Sequence, residues 1–465
     1  MQHDPLAFPR NEYVLRHFDV HGQRFTVRAW EGLPYCVRPA DPIQRLNLYA
    51  PEAFFAGESI NGYTADNAPI FLPNTVGGYM PGPAAAPEVN EHNEPNTVLR
   101  ALMHGYVVAC AGIRGRTSRS ADGAYTGKAP ALIVDMKAAI RYLRHNAGRI
   151  PGNAERIITS GTSAGGALSA LAGATGNAAE YAPFLAAIGA ADARDDIFAA
   201  NCYCPIINLE NADAAYEWQF CGENQFRGWQ HQGILTDGEQ TVSQELKALF
   251  PAYLNALHLT DDAGHPLTLS QDGTGSFLDF VCTQVIRSGQ RELDTHNSAV
   301  RLVHLAIPGS AVEQQPFLHI QDGKVVSLDW RGYIHAITRM KRPPAFDALD
   351  LTSTENNAFA SADGVPRHFT AFSQTHSTVN SPFADAQSIR LTNPMYFIGH
   401  ADNAPHWRIR HGAYDRDTSL AIPVILALIL HQQGLHVDFH LPWGLPHSGD
   451  YDLAELFEWI DSLCQ

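Results

Sequence analysis

Long apolar runs are missing from this chain, and no stretch approaches the roughly 20 residues that a membrane-spanning helix needs. The start, Met1-Gln2-His3-Asp4-Pro5, lacks the apolar segment of a secretory signal, so a cytoplasmic location is expected. Basic residues are scarce: 32 Lys and Arg stand against 48 Asp and Glu, a formal net charge of −16. That balance argues against nucleic acid and anionic membrane surfaces as partners. Seven cysteines show no metal-ligand spacing. Cys202 and Cys204 are one residue apart with no histidine cluster beside them, so the reading is reduced buried thiols and no metal. Internal repeats and low-complexity tracts are also lacking, which removes solenoids and propellers. What remains is an ordinary globular composition, 45% hydrophobic and 17% charged. At 465 residues the chain suits one large core with an insertion, or two domains.

The stretch that organises the chain is Arg156-Ile157-Ile158-Thr159-Ser160-Gly161-Thr162-Ser163-Ala164-Gly165-Gly166, followed by small residues to Gly173. A β-branched strand runs into Gly-x-Ser-x-Gly and then into a helix of Ala, Leu, Ser and Gly. This is the nucleophile elbow of an α/β-hydrolase, with Ser163 as nucleophile. Gly161 and Gly165 sit where side chains would clash with the turn, and Gly166 allows helix and strand to pack closely. The alternative, a phosphate-binding loop, lacks the lysine that should follow the glycines.

Around the elbow, residues 12–30 alternate as a hairpin about His21-Gly22, and Arg45 to Ala50 is a further strand. Pro69 to Pro73 leads into Asn74-Thr75-Val76-Gly77-Gly78-Tyr79, either the second half of an oxyanion hole or a plain Gly-Gly turn. Tyr106 to Cys110 reads as a strand buried on both faces. The arginines of Gly112-Ile113-Arg114-Gly115-Arg116 are expected to tie loops together. Pro130 to Asn146 is a helix with Ile133, Met136, Ile140 and Leu143 on one face. Alternation fades after Pro205, where modest helices such as Val242 to Leu257 appear, and resumes with Pro394 to Gly399 as a strand. Trp407 to Arg410, a helix from Ser419 to Gln433, a strand from Val437 to Leu441 and a terminal helix follow. The expectation is an α/β-hydrolase fold with a doubly wound, mostly parallel sheet. Its core would occupy residues 1–204 and 388–465, split by a lid insertion over 205–387.

A serine nucleophile needs a base and a carboxylate to orient that base, in the chain order Ser, acid, His. After the strand ending at Arg410 comes His411-Gly412-Ala413-Tyr414-Asp415-Arg416-Asp417, and Asp415 stands at the loop tip. Asp417 competes for the same role. After Leu441 comes Pro442-Trp443-Gly444-Leu445-Pro446-His447, which places His447 ahead of the final helix as base. His440 reads as a strand residue and His411 as a structural loop residue. The N–H of Ala164 and one at Gly77 or Gly78 would form the oxyanion hole.

At this point the chain resembles the bacterial tannases, tannin acylhydrolases of the lactobacillus type, over almost its whole length. The marks are Pro73 to Tyr79, Ala111 to Thr117, the elbow, Tyr216-Glu217-Trp218-Gln219-Phe220, Leu349 to Ser353, His406 to Gly412 and Pro446 to Asp452. Fungal tannases and feruloyl esterases instead place cysteines where this chain has Thr162 and Ser448. The resemblance implies hydrolysis of galloyl esters to gallate. That chemistry needs no cofactor or metal, and the expected form is a monomer acting on a small-molecule substrate. It also implies that Lys341, Glu355 and Asp417 bind the galloyl hydroxyls. On their own, Arg339-Met340-Lys341-Arg342 could be a solvated basic turn and Thr354-Glu355-Asn356-Asn357 an ordinary loop. A feruloyl or general carboxylesterase, a peptidase of the same fold and an inactive binding module are the rival readings.

Overall fold

The computed structural model describes residues 4–228, 231–296 and 317–465. Met1–His3, on which part of the signal-segment reading rests, and residues 297–316 of the expected insertion lie outside them. Thirteen strands are numbered in chain order. They are β1 (Val14–Val20), β2 (Gln23–Pro34), β3 (Arg45–Pro51), β4 (Pro69–Pro73), β5 (Val107–Ala111), β6 (Asn153–Thr162) and β7 (Ala199–Tyr203). The others are β8 (Gln225–Arg227), β9 (Gln232–Ile234), β10 (Leu318–Gln321), β11 (Lys324–Leu328), β12 (His406–Arg410) and β13 (His436–His440).

Nine of these form one sheet in the order β1-β2-β3-β5-β4-β6-β7-β12-β13. The three pairs from β1 to β5 are antiparallel, and every pair from β5 to β13 is parallel. This is the doubly wound, mostly parallel sheet of an α/β-hydrolase. The β1–β2 hairpin closes on His21 and Gly22, both with positive φ, the left-handed pair that matches the twist of two strands. Strands β5 and β7 are buried at every residue; β5 is apolar throughout, and the one polar residue of β7, Asn201, donates to Ser160 Oγ at 2.9 Å.

Between β7 and β12 no described segment joins this sheet. The chain there forms helices, including Leu209–Phe220, Asp237–Ala256 and Ser276–His296, and two small hairpins, β8–β9 and β10–β11. The helix Asp237–Ala256 starts earlier than its apolar pattern suggests because Thr236 and Glu239 form a reciprocal capping box.

Two expectations need correction. Pro394 to Gly399 is not a strand: Pro394–Tyr396 is a 3-10 turn, capped by the Asn393 side chain accepting from the Met395 N–H. Its apolar residues Phe397 and Ile398 are buried without joining a sheet. The helix Ala131–His145 buries far more than one face, because it is enclosed by Ala164–Ala174 and Ala182–Ile188. Among the described residues, no helix is long and apolar enough to cross a membrane. All seven cysteines are free thiols, with Cys221 and Cys282 only half-buried.

Enclosure of that helix traps a charge. The Lys137 ammonium, fully buried, donates to Asp195 Oδ1 at 2.6 Å and to the Thr175 carbonyl at 2.6 Å, while Arg141 Nε donates to Asp195 Oδ2 at 2.7 Å. Removing one partner of a buried pair leaves the other charge uncompensated. Asp195→Ala is therefore expected to lose ~3–5 kcal/mol of stability, read from the urea unfolding midpoint. An unchanged midpoint would show that the pair contributes nothing.

Candidate active site

Strand β6 delivers Ser163 at φ 62° and ψ −123°, a backbone conformation that L side chains rarely adopt and that costs ~1–3 kcal/mol. The turn is held from both sides. The Ser163 N–H donates to the Tyr203 carbonyl at 3.0 Å, and the Ser163 carbonyl accepts from Ala167 N at 2.9 Å and Ile206 N at 3.2 Å. A Cβ on Gly161 would lie 2.3 Å from the Gly165 carbonyl oxygen, and one on Gly166 would lie 2.4 Å from that of Tyr203. Both approaches require glycine. Ser163 itself stays half-buried at the open end of the turn.

The loops after β12 and β13 interlock. Ala413 N donates to the Pro442 carbonyl at 2.9 Å and Tyr414 N to that of Leu445 at 3.0 Å. His447 Nδ1 thereby meets Asp415 Oδ2 at 2.7 Å. In the neutral ring the proton then sits on Nδ1 and Nε2 is left as an acceptor. Asp415 is fully buried, which by itself raises its carboxyl, but His447 and His411 outweigh burial and hold it at about 2. For His447 burial opposes charge, and Asp415 overcomes this to raise the imidazole above its ordinary value. Asp417 lies on the other side of the ring, its Oδ2 3.6 Å from Nε2. His411 is buried with its Nδ1 3.6 Å from Asp415 Oδ2, and neither ring nitrogen has a hydrogen-bond partner among the described residues.

Cys204, read from the sequence only as a buried thiol with no histidine cluster beside it, has its Sγ 3.9 Å from His447 Nε2 and donates to the Ser448 carbonyl at 3.4 Å. The signal was in the register. Thr162 of β6 pairs with Tyr203 of β7, so the residues that follow, Ser163 and Cys204, emerge side by side. Cys204, Asp415 and His447 offer ligand atoms within 4.8 Å of one another. Burial raises the thiol, however, so it keeps its proton, and the Asp415 oxygen is engaged with Nδ1. A metal site would need thiolate and free carboxylate.

A second cluster lies beside the imidazole. Lys341 Nζ is ion-paired with Asp417 Oδ1 and sits 4.0 Å over the Phe346 ring. Burial opposes the ammonium, but Asp417 and Glu355 hold its pKa above the ordinary lysine value. Glu355, in a short helix (Thr354–Ala358) rather than a loop, is buried, and that burial pushes its carboxyl up to about 7 despite Lys341. Tyr79, half-buried, is raised as well, first by desolvation of its hydroxyl and then by the charges of Glu355 and Asp417. Gly78 faces this helix: a Cβ there would meet Thr354 Cγ2 at 4.0 Å. Arg116 bridges the two, donating from Nε to the Gly78 carbonyl at 3.0 Å and from Nη1 to Asn357 Oδ1 at 3.4 Å. Arg114 forks onto Asp135. Each arginine therefore ties its loop to a helix, Arg114 to Ala131–His145 and Arg116 to Thr354–Ala358, where ties between loops were expected. Gly77 is exposed and Ala164 buried, and neither N–H has an acceptor among the described residues.

Known proteins bear on this arrangement. The BD-FAE family model matches residues 77–213. A tannin acyl hydrolase from Lactobacillus plantarum is 50% identical, with 99% of each chain covered and a TM-score of 0.93. A tannin acyl hydrolase solved in complex with ethyl gallate has the same identity, coverage and TM-score. The tannase of Fusobacterium nucleatum is 44% identical over 99% of each chain, again with a TM-score of 0.93. No curated protein matches. Half-identical residues over nearly the full length of both chains leave no other assignment: the chain belongs to the tannase, or tannin acyl hydrolase, family.

Proposed function

We propose that this ester hydrolase cleaves galloyl esters of tannins and simple gallates by acyl transfer through Ser163, Asp415 and His447. The observation that carries the reading is the half-buried 2.7 Å hydrogen bond from His447 Nδ1 to Asp415, beside a cluster of Lys341, Glu355 and Asp417. The ethyl gallate found on a half-identical relative supports the same substrate class.

In the first step His447 Nε2 takes the Ser163 proton as Oγ bonds to the ester carbonyl carbon. Asp415, still ionised, stabilises the imidazolium. The unpartnered N–H groups of Gly77 and Ala164 receive the oxyanion, each such donor being worth ~3–4 kcal/mol in the transition state. Collapse breaks the ester C–O bond, and the alcohol leaves with the proton from Nε2. Water then repeats the sequence and releases gallate. At the far end of the acyl pocket Lys341 donates to a phenolic oxygen, while Glu355 and Asp417 accept phenolic protons. The Lys341–Asp417 pair leaves room for this, since an ammonium has three donors and a carboxylate about four acceptor sites. The segment 205–387, which contributes Lys341 and Glu355, acts as a lid domain over the hydrolase core.

Product analysis with tannic acid and methyl gallate tests the reading. Ser163→Ala is expected to lower gallate release roughly 10⁶-fold. Release at the normal rate from that variant would remove the nucleophile. A wild-type enzyme that turns over p-nitrophenyl acetate but not methyl gallate would favour a general carboxylesterase.

The Glu355 carboxyl gives a pH signature. Ionised, it accepts phenolic protons far more strongly than the protonated acid does, so kcat/KM for methyl gallate should rise as pH increases through about 7. Glu355→Gln should flatten that limb. The folded-state value exceeds that of a free glutamate, 4.5, so the native state binds the proton more tightly. Stability should therefore fall as pH rises from 4.5 to about 7, and the Gln variant should lack this slope. An inflection unchanged in the variant would assign it to another group.

A further inference from the structure

The buried helix Leu209–Phe220 carries the Tyr216-Glu217-Trp218-Gln219-Phe220 motif, and none of its side chains takes part in the acyl transfer described above. Tyr216 is fully buried, and its hydroxyl is saturated. It accepts from Met340 N and Lys341 N, each at 3.0 Å, and donates to the Arg416 carbonyl at 2.9 Å. One donor and two acceptor sites are all that a hydroxyl has. Residue 341 provides the ammonium and residue 417 the carboxylate of the ring-binding pair, and 416 is joined directly to both Asp415 and Asp417. A single oxygen thus fixes the two backbones that face each other across that pair.

The neighbours reinforce it. Glu217 forms a two-pronged pair with the buried Arg339, whose Nε donates to the Lys341 carbonyl at 2.8 Å. Gln219 Oε1 accepts from Ser419 Oγ at 3.0 Å and Leu420 N at 2.8 Å, just past Asp417. The Asp415 side has supports of its own: Asp415 N donates to the Gly412 carbonyl at 2.8 Å, and the Tyr333 hydroxyl holds the Ala413 carbonyl.

We propose that Tyr216, through its hydroxyl, is a positioning residue for aromatic-acid specificity, setting the spacing of Lys341 and Asp417, while Asp415, although it accepts from Asp417 N at 2.8 Å, keeps the further supports named above. This rests on the galloyl esterase reading. Tyr216→Phe keeps the ring contacts with Phe220 and Phe346 and removes the three hydrogen bonds. It should lower kcat/KM for methyl gallate ~10–100-fold, chiefly through KM, since small misplacements of binding groups have effects of that order. Turnover of p-nitrophenyl acetate, which needs only the nucleophile and its base, should stay within ~3-fold. Trp218→Phe is the control. It loses a 2.9 Å hydrogen bond to the Gly273 carbonyl, away from both backbones, and should lower Tm without changing the ratio of the two activities. Equal loss on both substrates, the same ratio change in both variants, an unchanged ratio, or failure of Tyr216→Phe to fold would each make Tyr216 a stability element and overturn the proposal. Wild-type inactivity on methyl gallate would instead defeat the function on which it rests.

Discussion

Parallel register is the constraint from which the site follows. Strands β6, β7, β12 and β13 lie side by side and point the same way, so their carboxyl ends open on one edge of the sheet. Ser163 follows β6, Cys204 follows β7, the Asp415 loop follows β12 and the His447 loop follows β13. In open α/β sheets that edge is where ligands bind. Asp415 and His447, 32 positions apart in the chain (447 − 415), meet at 2.7 Å on this edge, and Ser163, 252 positions before Asp415 (415 − 163), emerges on the same edge from β6.

The same edge concentrates strain and charge. Ser163 and Cys204 both have positive φ, at 62° and 34°, adjacent across the β6–β7 pair. Each is stabilised by backbone partners beyond its own strand: Ser163 N reaches the Tyr203 carbonyl and Cys204 N reaches that of Arg410. The strain is therefore carried by a network spanning β6, β7 and β12. It is not a local property of the Gly-x-Ser-x-Gly turn. Below the edge, Arg408 and Arg410 are buried within β12 and held by Asp452 and Asp438, which anchors the strand bearing the acid loop to its neighbours.

Features written in short range could be read from the sequence, and features written in long range could not. The elbow was legible because three glycines and a serine within six positions encode a turn that nothing else explains. Asp415 and His447 were legible because each lies just past a strand in which polar and apolar residues alternate. Lys341 and Glu355 carried no such sign without the family resemblance. The basic run Arg339-Met340-Lys341-Arg342 looks solvated, yet Arg339 is fully buried against Glu217, 122 residues away. The register that brings Cys204 to the imidazole is a property of two paired strands and is invisible in either alone. Pro394 to Gly399 failed in the opposite sense. Its apolar run matches a strand, but Asn393 and Pro394 close a turn, and the side chains are buried against helices instead.

The helix Leu209–Phe220 explains how two regions with different architecture can share a site. One region is a sheet whose loops are set by register. The other is helical and joins no strand of that sheet, so pairing cannot fix its position. Buried polar contacts do so instead: Tyr216, Glu217 and Gln219 bond to the 339–341 segment and the 416–420 loop. Hydrogen bonds are directional, and a buried donor or acceptor left unpaired costs ~1–3 kcal/mol, so these contacts admit few alternative arrangements. Apolar packing alone would hold the two regions together with less precision, because it tolerates sliding. A polar helix between sheet and insertion thus fixes the distance of the Lys341–Asp417 pair from the imidazole, which the proposed recognition of an aryl group together with its ester carbonyl would require.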